Sequence, residues 1–161
     1  MFQIKNKTLF SLILLFSIFA LFSAYFIQYV LGHQPCNLCL IERIPYVLTI
    51  IIIIFSFVYK KYEKIYLFFL IMIFISLTVI SFYHFGIEQG FIKESLVCDL
   101  NNQNNSLTAE DLLNELKKKT ISCKDVTFTI LGLSLATINT IISILISAIL
   151  IRNFLNYEKN K

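Results

Sequence analysis

From Thr8 to Ile41 the chain runs thirty-four residues without an Asp, Glu, Lys or Arg, and three more long apolar stretches follow. Leu9 to Val30 contributes 22 uncharged residues, Ile65 to Phe85 contributes 21 and Val126 to Ile151 contributes 26. The remaining stretch, Ile44 to Tyr59, has 16 and reaches a spanning length only when it is extended back to Cys39, with Glu42 and Arg43 at the interface. About 20 mostly apolar residues are needed for a helix to cross the hydrocarbon. Lipid admits only helices or closed barrels, because every backbone polar group there must be paired internally. Continuous apolar runs lack the alternation of a barrel strand, so four spanning helices are predicted, at roughly 8–31, 40–59, 65–85 and 126–151 of one domain covering 1–161. The loops between them fall at 32–39 and 86–125.

Only 15% of the residues are charged, against about 25% in a soluble domain. The net charge of +4 reflects topology rather than a nucleic-acid surface, since the basic residues form no patch interleaved with aromatics. Lys5, Lys7, Lys60, Lys61, Lys64, Arg152, Lys159 and Lys161 fall on one side of the spans, with only Glu63 and Glu158 as acids. The other side holds the 86–125 loop, in which seven acids outnumber five lysines. Basic residues near span ends mark the cytoplasmic face, so both termini are expected there and the long loop outside. Phe22-Ser23-Ala24 has no small residue where a signal-peptide cleavage site needs one, so the first span is expected to be retained. Within the long loop, Thr108 to Lys119 reads as a short amphipathic helix with Leu112, Leu113 and Leu116 along one face. It would lie on the membrane or pack on the end of the bundle.

All four cysteines fall on the outer side: Cys36 and Cys39 at the entry to helix two, Cys98 and Cys123 in the long loop. An oxidising compartment permits disulfides there, and an even number in two groups suits them. In Cys36-Asn37-Leu38-Cys39 the two-residue spacer suits an easily reduced disulfide, and reduction leaves thiols at a helix N-terminus, where thiolate is favoured. Arg43, four residues beyond Cys39, is expected on the same face and in a position to stabilise a Cys39 thiolate, against the opposing charge of Glu42. Cys-x-x-Cys is also a zinc-ligand spacing, but the other pair, 25 residues apart, lacks it. Structural stapling is the bland reading of both pairs, although a two-residue loop gains little from closure. His84 is ionisable near membrane depth and so is a candidate site residue. His33 reads as solvated and Pro45 as structural, early in its helix.

Taken in order, these features resemble the disulfide bond formation protein B (DsbB) family of quinone-linked thiol oxidases over nearly the whole chain. The resemblance rests on Cys36-x-Leu38-Cys39-x-x-Glu42-Arg43, on Tyr83-His84-x-Gly86-x-Glu88, on the pair Cys98 and Cys123, and on Gly132-Leu133-Ser134-Leu135-Ala136-x-x-Asn139. One departure is the absence of Trp: Phe128 stands where relatives often carry one. The family route from DsbA through DsbB to quinone keeps a bacterial periplasm oxidising. The resemblance implies that a DsbA-like thioredoxin-fold oxidase attacks a Cys98–Cys123 disulfide and is held through Cys98. Cys123 then passes electrons to Cys36, leaving Cys39 as a thiolate against a quinone. Arg43 and His84 are the implied quinone neighbours, the acceptor being ubiquinone or menaquinone, in the inner membrane. Vitamin K epoxide reductase-like proteins use related chemistry with the cysteine pairs in the opposite order. The reading from another class is a membrane scaffold or subunit with structural disulfides.

Overall fold

A computed structural model describes residues 6–93, 98, 123, 129–130 and 132–159. The expected amphipathic helix of the long loop lies outside the described residues. Helix α1 spans Asn6–Tyr29, α2 is the short turn Asn37–Ile41, and α3 spans Arg43–Val58. A single 3-10 turn, Lys60–Tyr62, leads to α4, Glu63–Glu88. Strands β1 (Thr129–Ile130) and β2 (Leu133–Ser134) precede α5, Leu135–Lys159. Among the described residues, four helical stretches are long and apolar enough to cross a membrane: Lys7–Tyr29, Asn37–Val58, Glu63–Glu88 and Leu135–Asn156.

The five isoleucines from Ile50 to Ile54 would favour a strand in a water-facing sheet, yet they are helical in α3. Inside lipid the helix satisfies its own backbone, and that requirement overrides propensity. Within the second span the helical ladder is interrupted at one residue, Glu42, whose own backbone stays helical: α2 ends at Ile41 and α3 begins at Arg43. Pro45 accounts for the break, because it has no N–H to offer the carbonyl four residues back, at Ile41, and its ring crowds that carbonyl.

The last helix begins at Leu135, nine residues later than the start of its uncharged run suggests. Ahead of it lies a two-strand antiparallel hairpin, with Thr129 opposite Ser134 and Ile130 opposite Leu133. Gly132 turns this hairpin with φ of +81°, a left-handed conformation that costs glycine little. Ser134 then caps α5, its Oγ accepting the Thr137 N–H at 3.1 Å. At the end of α4, Phe91 N–H donates to Gly86 O at 2.9 Å and Gly90 N–H to Ile87 O at 3.0 Å. With Gly90 at φ +76°, this is a Schellman motif.

Helices α4 and α5 make the most extensive contact, and α3 packs on both α1 and α4. Phe10, Ile53, Leu67, Phe74 and Leu150 bury the bundle interior. Small hydroxyl residues accompany them, among them Ser17, Thr140 and Ser143, whose Oγ atoms donate back to carbonyls of their own helices. Lipid gives no hydrophobic drive for helices to associate, so close approach over small residues and good packing must hold the bundle. Leu15, Phe22 and Val79 point outward and are more than half exposed, the side lipid would cover.

Truncating Phe74 to Ala should lower unfolding stability in mixed micelles by roughly 2–5 kcal/mol, as large-to-small core changes do. Leu15→Ala, on the lipid side, should be close to neutral in the same assay. Equal losses would argue against this packing.

Candidate functional site

The site forms at one end of the bundle, where α2, the last turns of α4 and the start of α5 converge. Cys36 is the N-cap residue of α2, in extended conformation with ψ of 168°. Its sulfur takes the place of the oxygen usual in a cap, accepting the Cys39 N–H at 3.2 Å. The two thiols therefore share one helical turn. The Cys39 thiol also donates to Cys36, and this hydrogen bond is the largest influence holding the Cys36 thiol below its ordinary pKa. Burial and the charges of Glu42 and Glu88 oppose it without prevailing.

His84 comes to this turn from α4. Its Nε2 lies 3.5 Å from Cys36 Sγ, and its Nδ1 lies 3.0 Å from Glu42 Oε1. The sulfurs of Cys36 and Cys39 and a ring nitrogen of His84 all fall within 4.8 Å of one another. The histidine is only 3% exposed and Glu42 8%. The other Glu42 oxygen, Oε2, accepts from Asn139 Nδ2 of α5 at 2.8 Å. The same amide nitrogen donates to Ser81 Oγ at 2.8 Å, while the Asn139 carbonyl accepts from the Tyr46 hydroxyl. Glu88 lies 3.8 Å from His84 Nε2 and accepts from the Ser134 hydroxyl. One polar network thus joins the α2–α3 joint to α3, α4 and α5.

Cys98 and Cys123 form a disulfide with a Cα–Cα distance of 5.8 Å, whereas Cys36 and Cys39 are free thiols. Both pairs belong to one cluster: Cys36, Leu38, Ile87 and Cys123 are buried together, with Cys39, Tyr83 and Cys98 packed against them. Sulfurs from positions 36 to 123 of the chain are therefore neighbours. Beside the cluster, a cavity of about 320 Å³ runs between α1 and α5. Phe16, Phe19, Ala20 and Ile142 make its walls apolar, and Cys36, Cys39, Arg43 and His84 lie along its polar end.

Arg43 lines that cavity but turns toward α1. Its Nη1 donates to Gln28 Oε1 at 2.6 Å and its Nη2 to the Ala24 carbonyl at 3.5 Å, with the guanidinium 4.8 Å from the centre of the Tyr25 ring. Cys39 and Arg43 line the same cavity, as a shared face would have them, but the guanidinium donates to α1. Glu42 has a larger part than a charge opposing a thiolate, because it is the partner of His84. Asn139, Tyr46 and Ser81 were not singled out as site residues by sequence reasoning. The motif around Asn139 was the available signal, and only the packing of α5 on α4 gives it meaning.

The sequence profile of the family described as disulfide bond formation protein DsbB matches residues 6–152. An uncharacterized protein of Rickettsia prowazekii (strain Madrid E) is 28% identical over 142 residues, covering 87% of this chain and 83% of that protein. No solved structure matches the chain.

A lowered Cys36 pKa means more thiolate at a given pH, and alkylation rate follows thiolate. In the reduced protein, labelling of Cys36 should reach its half-maximum at a lower pH than an ordinary thiol. Replacing Cys39 with Ala removes the donor and should move that midpoint upward, as read by peptide mass spectrometry across a pH series. A midpoint that stays put, or falls, contradicts the assigned hydrogen bond.

Proposed function

Because this chain belongs to the DsbB family of membrane thiol–quinone oxidoreductases, we propose that it reoxidises a DsbA-like dithiol oxidase outside the cytoplasm and delivers the electrons to a membrane quinone. The observation that best supports this reading is the gathering of both cysteine pairs in one buried cluster beside an apolar cavity. The chain acts as a single four-span domain with both termini in the cytoplasm of a bacterium and its cysteines on the periplasmic face. The excess of basic residues at the opposite end favours this orientation.

The donor side begins at the loop disulfide. A thiolate of the soluble partner attacks Cys98, the Cys98–Cys123 bond breaks, and Cys123 leaves as thiolate. The partner's second thiol resolves the mixed disulfide, so the partner leaves oxidised and Cys98 is left reduced. Cys123 then attacks Cys36 of an oxidised Cys36–Cys39 pair and releases Cys39. Attack by Cys98 on the Cys36–Cys123 bond closes the loop disulfide again and leaves Cys36 and Cys39 both reduced.

On the acceptor side, the cavity suits a flat, lipid-soluble ring: its walls are apolar and its polar end carries a thiol, a guanidinium and an imidazole. Quinone, bound there, supplies a two-electron, two-proton sink. Cys36 and Cys39 give up two electrons and two protons and close their disulfide. Arg43 is held by Gln28 and Tyr25 with its guanidinium along the cavity, where it orients a quinone oxygen and His84 lies near the sulfurs.

Three measurements test the reading. A Cys123→Ala variant should accumulate a mixed disulfide between Cys98 and a periplasmic thioredoxin-fold protein; if no partner is captured, a scaffold with structural disulfides becomes the better account. Arg43→Ala should raise KM for quinone by roughly ten- to a hundredfold, as expected for losing a hydrogen bond from a charged group worth about 1.5–3 kcal/mol. The loop disulfide should still form. Membrane-impermeant thiol reagents should label the reduced cysteines from outside the cell, and labelling only from the cytosol would reverse the orientation.

A further inference from the structure

The reduced Cys36 lies in line with two further groups: its sulfur is 3.5 Å from His84 Nε2, and His84 Nδ1 is 3.0 Å from Glu42 Oε1. This has the geometry of a nucleophile, a base and a group that orients the base, the arrangement by which enzymes activate a sulfur or oxygen. The tautomer follows from Glu42. Both carboxylate oxygens are acceptors, one facing His84 and the other taking the Asn139 amide. Glu42 Oε1 lies at 3.0 Å from Nδ1 whereas the other carboxylate, Glu88 Oε1, stays 3.8 Å from Nε2, beyond hydrogen-bond distance, so the imidazole proton sits at Nδ1 and Nε2 accepts from Cys36.

Glu42 occupies the one-residue joint between α2 and α3, so neither helix alone fixes its side chain. Asn139 does so from α5. Its amide nitrogen has two hydrogens, which go to Glu42 and Ser81, and its oxygen accepts from Tyr46. Each polar function of the side chain is used, and each partner lies on a different element.

We propose that Asn139 is a positioning residue for thiol activation: it holds Glu42 against His84, so that His84 Nε2 takes the proton of Cys36. In that step the S–H bond breaks and an N–H bond forms, giving a thiolate and an imidazolium beside the Glu42 carboxylate. No electrons change hands, and the reverse transfer restores the thiol. The proposal rests on the redox role of Cys36 set out above, but its geometry is independent of which acceptor or partner is used.

Other ionisable groups stand around Cys36: Cys39 in the same turn, Glu42 at the joint and Glu88 from α4 act on its titration, and Tyr46 of α3 and His33 line the same cavity. Arg43 is turned to α1, and Cys98 and Cys123 are tied up in their disulfide.

The test uses the full-length, quinone-free, reduced protein in micelles. The pH profile of Cys36 alkylation is compared for wild type, Asn139→Leu and Ser76→Ala, with the label assigned by peptide mass spectrometry. Asn139→Leu is expected to raise the midpoint by about one unit, or to slow labelling about tenfold at a fixed lower pH. Ser76→Ala, exposed on α4 and bonded to the Ile73 carbonyl of its own helix, should change it little. Asn139→Leu keeps a side chain of similar size and loses the donor, so a wild-type profile in a folded Leu variant overturns the proposal. An independent measurement covers variants that fail to fold: nitrogen NMR of wild-type His84 should show the proton at Nδ1, and a proton fixed at Nε2 overturns it equally. Failure to capture a soluble partner would sink the functional reading while leaving both of these outcomes intact.

Discussion

The Glu42 carboxylate is buried near the end of the second span, where an unpaired charge would be expensive. Its needs are met from two other helices: His84 of α4 faces one oxygen, and Asn139 of α5 donates to the other. Tyr46 and Ser81 complete the set by engaging the same asparagine. Helix packing in lipid is weakly directional, so these hydrogen bonds give the end of the bundle a specific register. The one-turn α2 that carries the two thiols is seated beside this network, with Leu38 buried against Ile87 and Cys123.

The two faces of the site differ in chemistry. Around Cys36 are polar and ionisable groups supplied by α4 and α5, with the loop disulfide packed above them. Toward α1 the surroundings become apolar, apart from Arg43 and its partners Gln28 and Tyr25. Anchoring Arg43 on α1 keeps its guanidinium out of direct competition with the His84–Glu42 pair. A single short segment, 36–43, thus presents a thiol to one environment and a cation to another.

Much of the architecture was legible in the sequence because lipid restricts the choices so strongly. Long uncharged runs predict spanning helices, and the four stretches are helices long and apolar enough to span. The grouping of cysteines into pairs at 36/39 and 98/123 was legible from position alone, and the candidate His84 does lie at the first pair. Spatial coupling was harder to read. Glu42 and Asn139 are 97 residues apart, and no local periodicity announces such a contact. Pro45 lies where the sequence suggested, early in its helix and buried, while the turn of Arg43 toward Gln28 and Tyr25 depends on side chains of α1 that no local pattern announces. The late start of α5 had a similar cause: apolar character runs on through Thr129 to Ser134, and only Gly132 hints at a turn there.

The interruption below Pro45 has a mechanical consequence. The missing ladder bond leaves the one-turn α2, with both thiols of the 36/39 pair, joined to the rod of α3 by a single residue. On the proposed cycle, a change of bonding between those thiols is confined to that turn, and the rod behind it keeps its seat against its neighbours.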